Sequence, residues 1–126
     1  MSRVLLDSDI LIWCLRGRED VIQKVSGFSR DSLPSCSAMS VLEVELGMKK
    51  GEETATRAFL SALDVQAVDG PIASQASTFI REYGRRGIPL DFVDALIAAT
   101  CVLKGFRLAT LNRRHYPMTG IAFVPL

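Results

Sequence analysis

The sequence of 126 residues is poor in the side chains that most often bind zinc or form disulfides. It has one histidine, His115, and three cysteines, with no C-x-x-C pair among them. Zinc sites, and catalytic designs that need two histidines, are therefore not expected. Cys14, Cys36 and Cys101 are odd in number and widely spaced, which indicates small buried apolar residues rather than disulfide partners. This cysteine usage predicts a reducing, cytoplasmic environment.

The sequence also lacks long apolar runs, an excess charge of one sign, and the common hydrolase and nucleotide-binding motifs. No stretch approaches the ~18 apolar residues of a transmembrane helix, and residues 1–7 are too short and too soon acidic for a signal peptide. The 15 basic and 14 acidic residues nearly cancel, so any nucleic-acid contact must come from local patches. G-x-S-x-G, Walker A and G-x-G-x-x-G motifs are absent. With 48% hydrophobic residues, we expect a single domain over residues 1–126 and no membrane contact.

One carboxylate interrupts an otherwise apolar segment near the C-terminus. Between residues 92 and 103 nearly every residue is apolar or small, and Asp94 is the only acid. A helix that is apolar all round is usually buried, and a buried charge is costly unless it is paired or binds a metal. Asp91 is predicted to cap this helix. Asp94 either shares that capping role or belongs to a functional site.

Short apolar stretches alternate with helical patterns along the whole chain. Strands are predicted at residues 4–6, 33–39, 65–68, 105–111 and 121–124, and helices at 10–15, 21–30, 41–50, 52–63, 72–86 and 92–103. This alternation predicts a three-layer α/β/α sandwich around a short parallel sheet of about five strands. In such folds, ligands bind outside the carboxyl ends of the strands.

Four polar residues lie where the predicted strands end or the helices begin. Asp7 follows the first strand, Glu43 lies in the first turn after the second, Asn112 follows the fourth, and Asp94 opens a helix. Glu43 has an alternative role, since it matches a capping box with Ser40. If the residues converge, they form a polar cluster at one edge of the sheet.

Such a cluster requires compensation for the repulsion between its acids. Two carboxylates ~4 Å apart cost about 4 kcal/mol at an effective dielectric of ~20, whereas a helix N-terminus returns only ~0.3–1 kcal/mol. The cluster should therefore hold a cation or keep a proton. All-oxygen ligands favour Mg²⁺ or Mn²⁺ over zinc, and such a site suits phosphodiester hydrolysis.

Four segments in this order resemble the PIN-domain ribonucleases, in particular the VapC-type toxins of prokaryotic toxin–antitoxin pairs. They are LLDSDI at 5–10, SVLEVELG at 40–47, DALIAA at 94–99 and LATLNRRHY at 108–116. The resemblance implies that Asp7, Glu43 and Asp94 are the family's three acids and that Asn112 occupies its fourth polar position, which is often Asp. The family commonly has Asn where this chain has Asp9, so the chain carries an additional carboxylate there.

The resemblance also implies a fold, an activity and partners. It implies a PIN-like domain and a Mg²⁺-dependent endoribonuclease, with Mn²⁺ as a possible substitute. Asp7 and Asp94 would hold the metal, Glu43 would orient a water or join the coordination, and Asn112 would complete the polar ring with help from Thr110. It further implies a homodimer, a VapB-type antitoxin, and an RNA substrate such as tRNA.

The basic residues give weaker indications. Candidates for positioning RNA phosphates are Arg85, Arg86, Arg113 and Arg114. His115 beside them either contacts a phosphate or lies on a solvated turn. Two alternatives to the toxin remain open: a PIN-like nuclease of RNA processing without an antitoxin, and a non-catalytic binding module on the same fold.

Overall fold

The computed structural model describes residues 3–30 and 33–126. Positions 1–2 and 31–32 lie outside the described residues. The first pair belongs to the N-terminal segment 1–7 discussed above, and both pairs belong to the predicted domain over 1–126. The elements run in the order β1 (Arg3–Leu6), α1 (Ser8–Leu15), α2 (Glu19–Phe28), β2 (Ser35–Ser37), α3 (Ala38–Leu46), α4 (Glu53–Ser61), β3 (Asp64–Gln66), α5 (Gly70–Arg85), α6 (Phe92–Lys104) and β4 (Phe106–Ala109). A short 3₁₀ turn, Arg113–His115, follows β4.

The described strands form one four-stranded sheet in the order β3-β2-β1-β4, and every pairing is parallel. The predicted fifth strand at residues 121–124 is wrong. That segment makes a single parallel bridge, in which Phe123 pairs with Leu108. Pro125 follows immediately and has no N–H to extend a ladder, so the pairing remains limited to this bridge.

Helices cover both faces of the sheet, which confirms the predicted three-layer architecture. Successive side chains of a strand point to opposite faces, and β1 shows this alternation. Leu5 packs into a core with apolar residues of α5 and α6, whereas Val4 and Leu6 pack into a second core with residues of α1 to α4. Within the described part of the chain, no helix is long and apolar enough to cross a membrane. The cytoplasmic location stays a prediction.

Helices α1, α3, α5 and α6 begin at side-chain caps, and one of these caps differs from its sequence-based assignment. Asp91 caps α6, and its Oδ1 accepts hydrogen bonds from the N–H groups of Val93 and Asp94. The capping-box alternative for Glu43 is wrong. Helix α3 begins three residues earlier than that alternative requires, because Ser37 at the end of β2 caps it by accepting from Met39 N.

Candidate active site

Asp7 lies at the centre of the site, at the carboxyl end of β1. It is buried and caps α1, since its Oδ1 accepts from Ser8 N at 2.8 Å. Its Oδ2 accepts from Thr110 Oγ1 at 2.7 Å, just beyond the end of β4. The same threonine oxygen accepts from Asn112 N at 3.0 Å. Because β1 and β4 are adjacent and parallel, the two strand ends hold the Asp7 carboxylate in one orientation.

Asp94 lies in the first turn of α6 and is half-buried beside Asp7. Tyr116 Oη donates to Asp94 Oδ1 at 3.3 Å, and His115 Nδ1 lies 3.6 Å from Asp94 Oδ2. Burial, and then the negative charges of Asp7 and Asp91, raise the pKa of Asp94 to about 6. Burial, and then the carboxylates of Asp7 and Asp94, also raise the pKa of Tyr116. Tyr116 therefore stays protonated and donates a hydrogen bond at neutral pH.

Glu43 reaches the site through a residue that the sequence did not single out. Ser8 Oγ donates to Glu43 Oε1 at 2.6 Å and lies 2.9 Å from Ser40 Oγ. This contact connects the first turn of α1 with α3 and holds the Glu43 carboxylate beside Ser8, the residue that follows Asp7. The available signal was the position of Ser8, a small hydroxyl residue between two acids at a helix start.

Asp9 and Asn112 form a pair across the start of α1 and the end of β4. Asn112 Nδ2 donates to Asp9 Oδ2 at 2.9 Å, and Leu111 N donates to the same oxygen at 3.0 Å. Asp9 Oδ1 is buried and has no hydrogen-bond partner among the described residues. Burial, and then the charge of Asp7, raise the pKa of Asp9 to about 6. Asn112 thus approaches the acids through Asp9.

The four candidate arginines lie in different surroundings. Arg114 and His115 line a hollow of about 290 Å³ together with Asp94. Arg113 stacks on Phe123, 4.9 Å from the ring centroid, and donates to Val124 O at 3.3 Å. Arg86 covers the ring of Tyr83 at 4.7 Å, and Arg85 lies in a separate hollow at the end of α5. Arg114 therefore lines a hollow beside a candidate acid, and the role of all four arginines in RNA binding stays a prediction.

The site offers oxygen ligands in an open arrangement. Among residues 3–30 and 33–126, no three His, Cys, Asp or Glu side chains are grouped so that they alone could hold a metal ion. Mg²⁺ does not require such a group, since it is usually held by one or two carboxylates together with waters and substrate phosphates. The charge of Asp7 raises the cost of ionising Asp94, and Asp9 Oδ1 is a buried acceptor without a donor among the described residues. These donors fit a hard divalent cation.

The raised pKa values predict how stability depends on pH without metal. Asp9 and Asp94 have a folded pKa of about 6 against an ordinary 3.8, so the folded state binds more protons between those values. The contribution of the two groups to stability therefore falls as pH rises through this window and is level above it. We expect a higher thermal unfolding midpoint at pH 5 than at pH 7 in EDTA, and a smaller difference in Asp94→Asn. Equal pH slopes for parent and variant would contradict the assignment.

Comparison with known proteins identifies relatives over nearly the whole chain. Residues 4–120 match the PIN domain family. Ribonuclease VapC10 of Mycobacterium tuberculosis is 34% identical over 115 residues, covering 91% of this chain and 86% of the relative. Ribonuclease VapC19 of the same organism is 31% identical, covering 90% and 92%.

Solved structures show the same fold. A toxin–antitoxin complex from Klebsiella pneumoniae superposes with a TM-score of 0.80 at 28% identity, covering 94% of this chain and 95% of that one. DNA-bound VapBC from Salmonella typhimurium gives 0.86 at 22% identity, with 98% of each chain covered, and this second likeness concerns the fold alone.

Proposed function

Because the chain belongs to the PIN-domain family, in its VapC-type branch, we propose that it is a metal-dependent endoribonuclease and the toxin of a toxin–antitoxin pair. The observation that carries the proposal is that Asp94 lies close enough to Asp7 to feel its charge, while Glu43 is bonded to Ser8, the residue after Asp7. A donor orients each of the three carboxylates. The two relatives above are both ribonucleases by name. Their activity supports, by analogy, the hydrolysis of RNA phosphodiester bonds at this edge.

The proposed mechanism assigns a task to each side chain. Asp7 and Asp94 would hold Mg²⁺, or Mn²⁺ in its place, which when bound supplies an activated water and neutralises charge on the phosphate. Thr110 and the α1 N-terminus orient Asp7, and Tyr116 orients Asp94. Glu43, held by Ser8, would accept a proton from the attacking water. As the water oxygen bonds to phosphorus, the bond to one ribose oxygen would break, and that oxygen would take a proton from solvent.

Substrate binding has a candidate surface next to these acids. Arg114 and His115 line the hollow that also exposes Asp94, so a phosphate in that hollow would lie beside the catalytic acids. Both side chains are largely exposed, and a guanidinium binds phosphate oxygens in a bidentate manner. We propose that they position the RNA backbone, and that structured RNA such as tRNA is the substrate.

The experiment that tests the function measures RNA cleavage by the purified protein in EDTA, in Mg²⁺ and in Mn²⁺. Cleavage in both metals and none in EDTA is expected. RNA ends mapped after induced expression then identify the target. Tight RNA binding without cleavage under any condition would instead favour a non-catalytic module. Cleavage without toxicity, from a gene that has no antitoxin beside it, would favour RNA processing.

An antitoxin partner has a candidate groove. A groove of about 600 Å³ runs between α1, α3 and α4, with apolar walls that include Ile12, Leu15 and Met48. Glu43 lies in the same groove, so a bound segment would reach a catalytic acid. On these helices Val44 and Leu60 are buried in the core, whereas Leu46 is 78% exposed. We propose that a VapB-type antitoxin lays a helix in this groove.

A homodimer has a second candidate surface. An apolar hollow of about 340 Å³ lies between α5 and α6, and Phe92 at its edge is 70% exposed. We propose that a second copy covers this hollow and expect Phe92→Asp to convert a dimer into a monomer, because the variant would bury an unpaired charge. Light scattering measures the mass, and Leu103→Asp, at an exposed apolar position of the same helix outside the hollow, is the control. A parent protein that is monomeric at high concentration would refute the proposal.

A further inference from the structure

The pair formed by Asp9 and Asn112 has an unusual distribution of hydrogen bonds. Both donors, Asn112 Nδ2 and Leu111 N, point at Oδ2 of Asp9. Oδ1 of the same carboxylate is buried and receives no hydrogen bond from the described residues. The carboxylate is therefore fixed in orientation by one oxygen, while the other is withheld from both protein donors and bulk solvent.

An arrangement of this kind is unfavourable unless something compensates for it. A buried acceptor without a donor costs free energy, and the cost is greater for a charged group. Asp9 is also two residues from Asp7, and neighbouring carboxylates repel each other. If the role of Asp9 were purely structural, a neutral amide would serve better. An asparagine at this position keeps an oxygen for both donors, and a neutral amide nitrogen in the place of Oδ1 costs less without a partner than a charged oxygen does.

Asn112 is arranged to orient its neighbours. Its amide nitrogen donates to Asp9, and its backbone N–H donates to Thr110. Its remaining oxygen is neutral and is therefore a weaker ligand for a hard divalent cation than a carboxylate oxygen. We propose that Asp9 supplies the metal-facing carboxylate at this end of the site, and that Asn112 is a positioning residue that acts through Asp9. This inference rests on the divalent-metal site of the proposed function. The fourth polar residue that faces the metal would then be Asp9 in the first turn of α1, and not Asn112 after the end of β4.

The proposal predicts effects of opposite sign on the free and the metal-loaded protein. Asp9→Asn is expected to raise the thermal unfolding midpoint in EDTA, since it removes an uncompensated charge and keeps both hydrogen bonds. The same variant is expected to weaken Mn²⁺ binding by at least about tenfold, the lower end of the range for residues that support a metal site. A purely structural residue would lower the midpoint in EDTA.

A double-mutant cycle separates the two roles. Mn²⁺ affinity is measured by calorimetry for the parent, Asp9→Asn, Asn112→Ala and the double variant. Asn112→Ala alone is expected to weaken binding by a smaller factor than Asp9→Asn. In the Asp9→Asn background it is expected to have no further effect, because it acts through Asp9. Unchanged affinity in Asp9→Asn, or factors that simply multiply in the double variant, would overturn the inference.

An Asp7→Asn control separates this inference from the proposed function. If the parent binds Mn²⁺ and Asp7→Asn does not, the metal site stands, and the Asp9 variants alone decide the inference. If the parent does not bind Mn²⁺, or if Asp7→Asn binds it as the parent does, the metal site itself is wrong and the inference falls with it.

Discussion

Replacing Asp7 or Asp94 by asparagine is expected to abolish RNA cleavage while the domain stays folded. Each substitution keeps the size of the side chain but removes a charged oxygen from the proposed metal site. The expected loss of rate is at least about 10²-fold, because residues that only support a metal ligand already contribute about 10- to 100-fold. The amide oxygen introduced at position 94 can still accept from Tyr116. At position 7 the amide oxygen can accept from Ser8 N while the amide nitrogen donates to Thr110 Oγ1, so both contacts persist with the second one reversed.

The measurement is the initial rate of RNA cleavage in Mg²⁺, together with the unfolding midpoint of each variant. Asp20→Asn is the matched control, because Asp20 is an exposed carboxylate of α2 that pairs with Arg18 at the surface. That variant should cleave RNA at the parental rate. A parental rate in Asp7→Asn or Asp94→Asn would show that cleavage does not depend on these acids.

Ala55→Arg is expected to release the enzyme from its antitoxin without affecting cleavage. Ala55 is exposed on α4 and lines the groove proposed for the antitoxin helix, so a long charged side chain there occupies the partner's place. We expect a loss of about 2 kcal/mol in the free energy of association, or roughly 30-fold in Kd, as for the central residues of other interfaces. The variant keeps every residue of the proposed catalytic cluster.

The experiment compares RNA cleavage across an antitoxin titration for the parent, Ala55→Arg and Ala58→Arg. Ala58 is also exposed on α4 but lies outside the groove, so it carries the same chemical change without the same obstruction. If the antitoxin inhibits Ala55→Arg at the same concentrations at which it inhibits the parent, the partner binds to another surface. Equal resistance in both variants would point to a general effect of charge on α4.

The sequence indicated the elements of the site wherever the signal was local. The apolar run of 92–103 with its single acid was sufficient to place Asp94, and the residues before it were sufficient to place Asp91 as a cap. The end of a buried strand likewise placed Asp7. Each of these patterns reflects a few neighbouring residues, which is the information that helix and strand signals carry.

Contacts between distant segments were beyond such signals. Ser8 and Glu43 are 35 positions apart, and Asp94 and Tyr116 are 22 apart. Hydrogen bonds between such distant residues produce no periodic pattern in the sequence. Glu43 was even given a competing local role, because a serine three residues before a glutamate matches a capping box. The helix instead begins at the cap that ends β2, and tertiary contact decided the orientation of Glu43.

The bonds between the ends of β1 and β4 also determine when the site can exist during synthesis. Asp7 and Thr110 are 103 positions apart, and Asp9 and Leu111 are 102 apart. At a translation speed of ~5–20 residues per second, roughly 5–20 s separate the incorporation of these acids from that of their donors. Until then, the nascent chain holds the first acids of a nuclease without the strand that orients them. The order of the sequence thus postpones completion of the site until β4 and the residues after it have been synthesised.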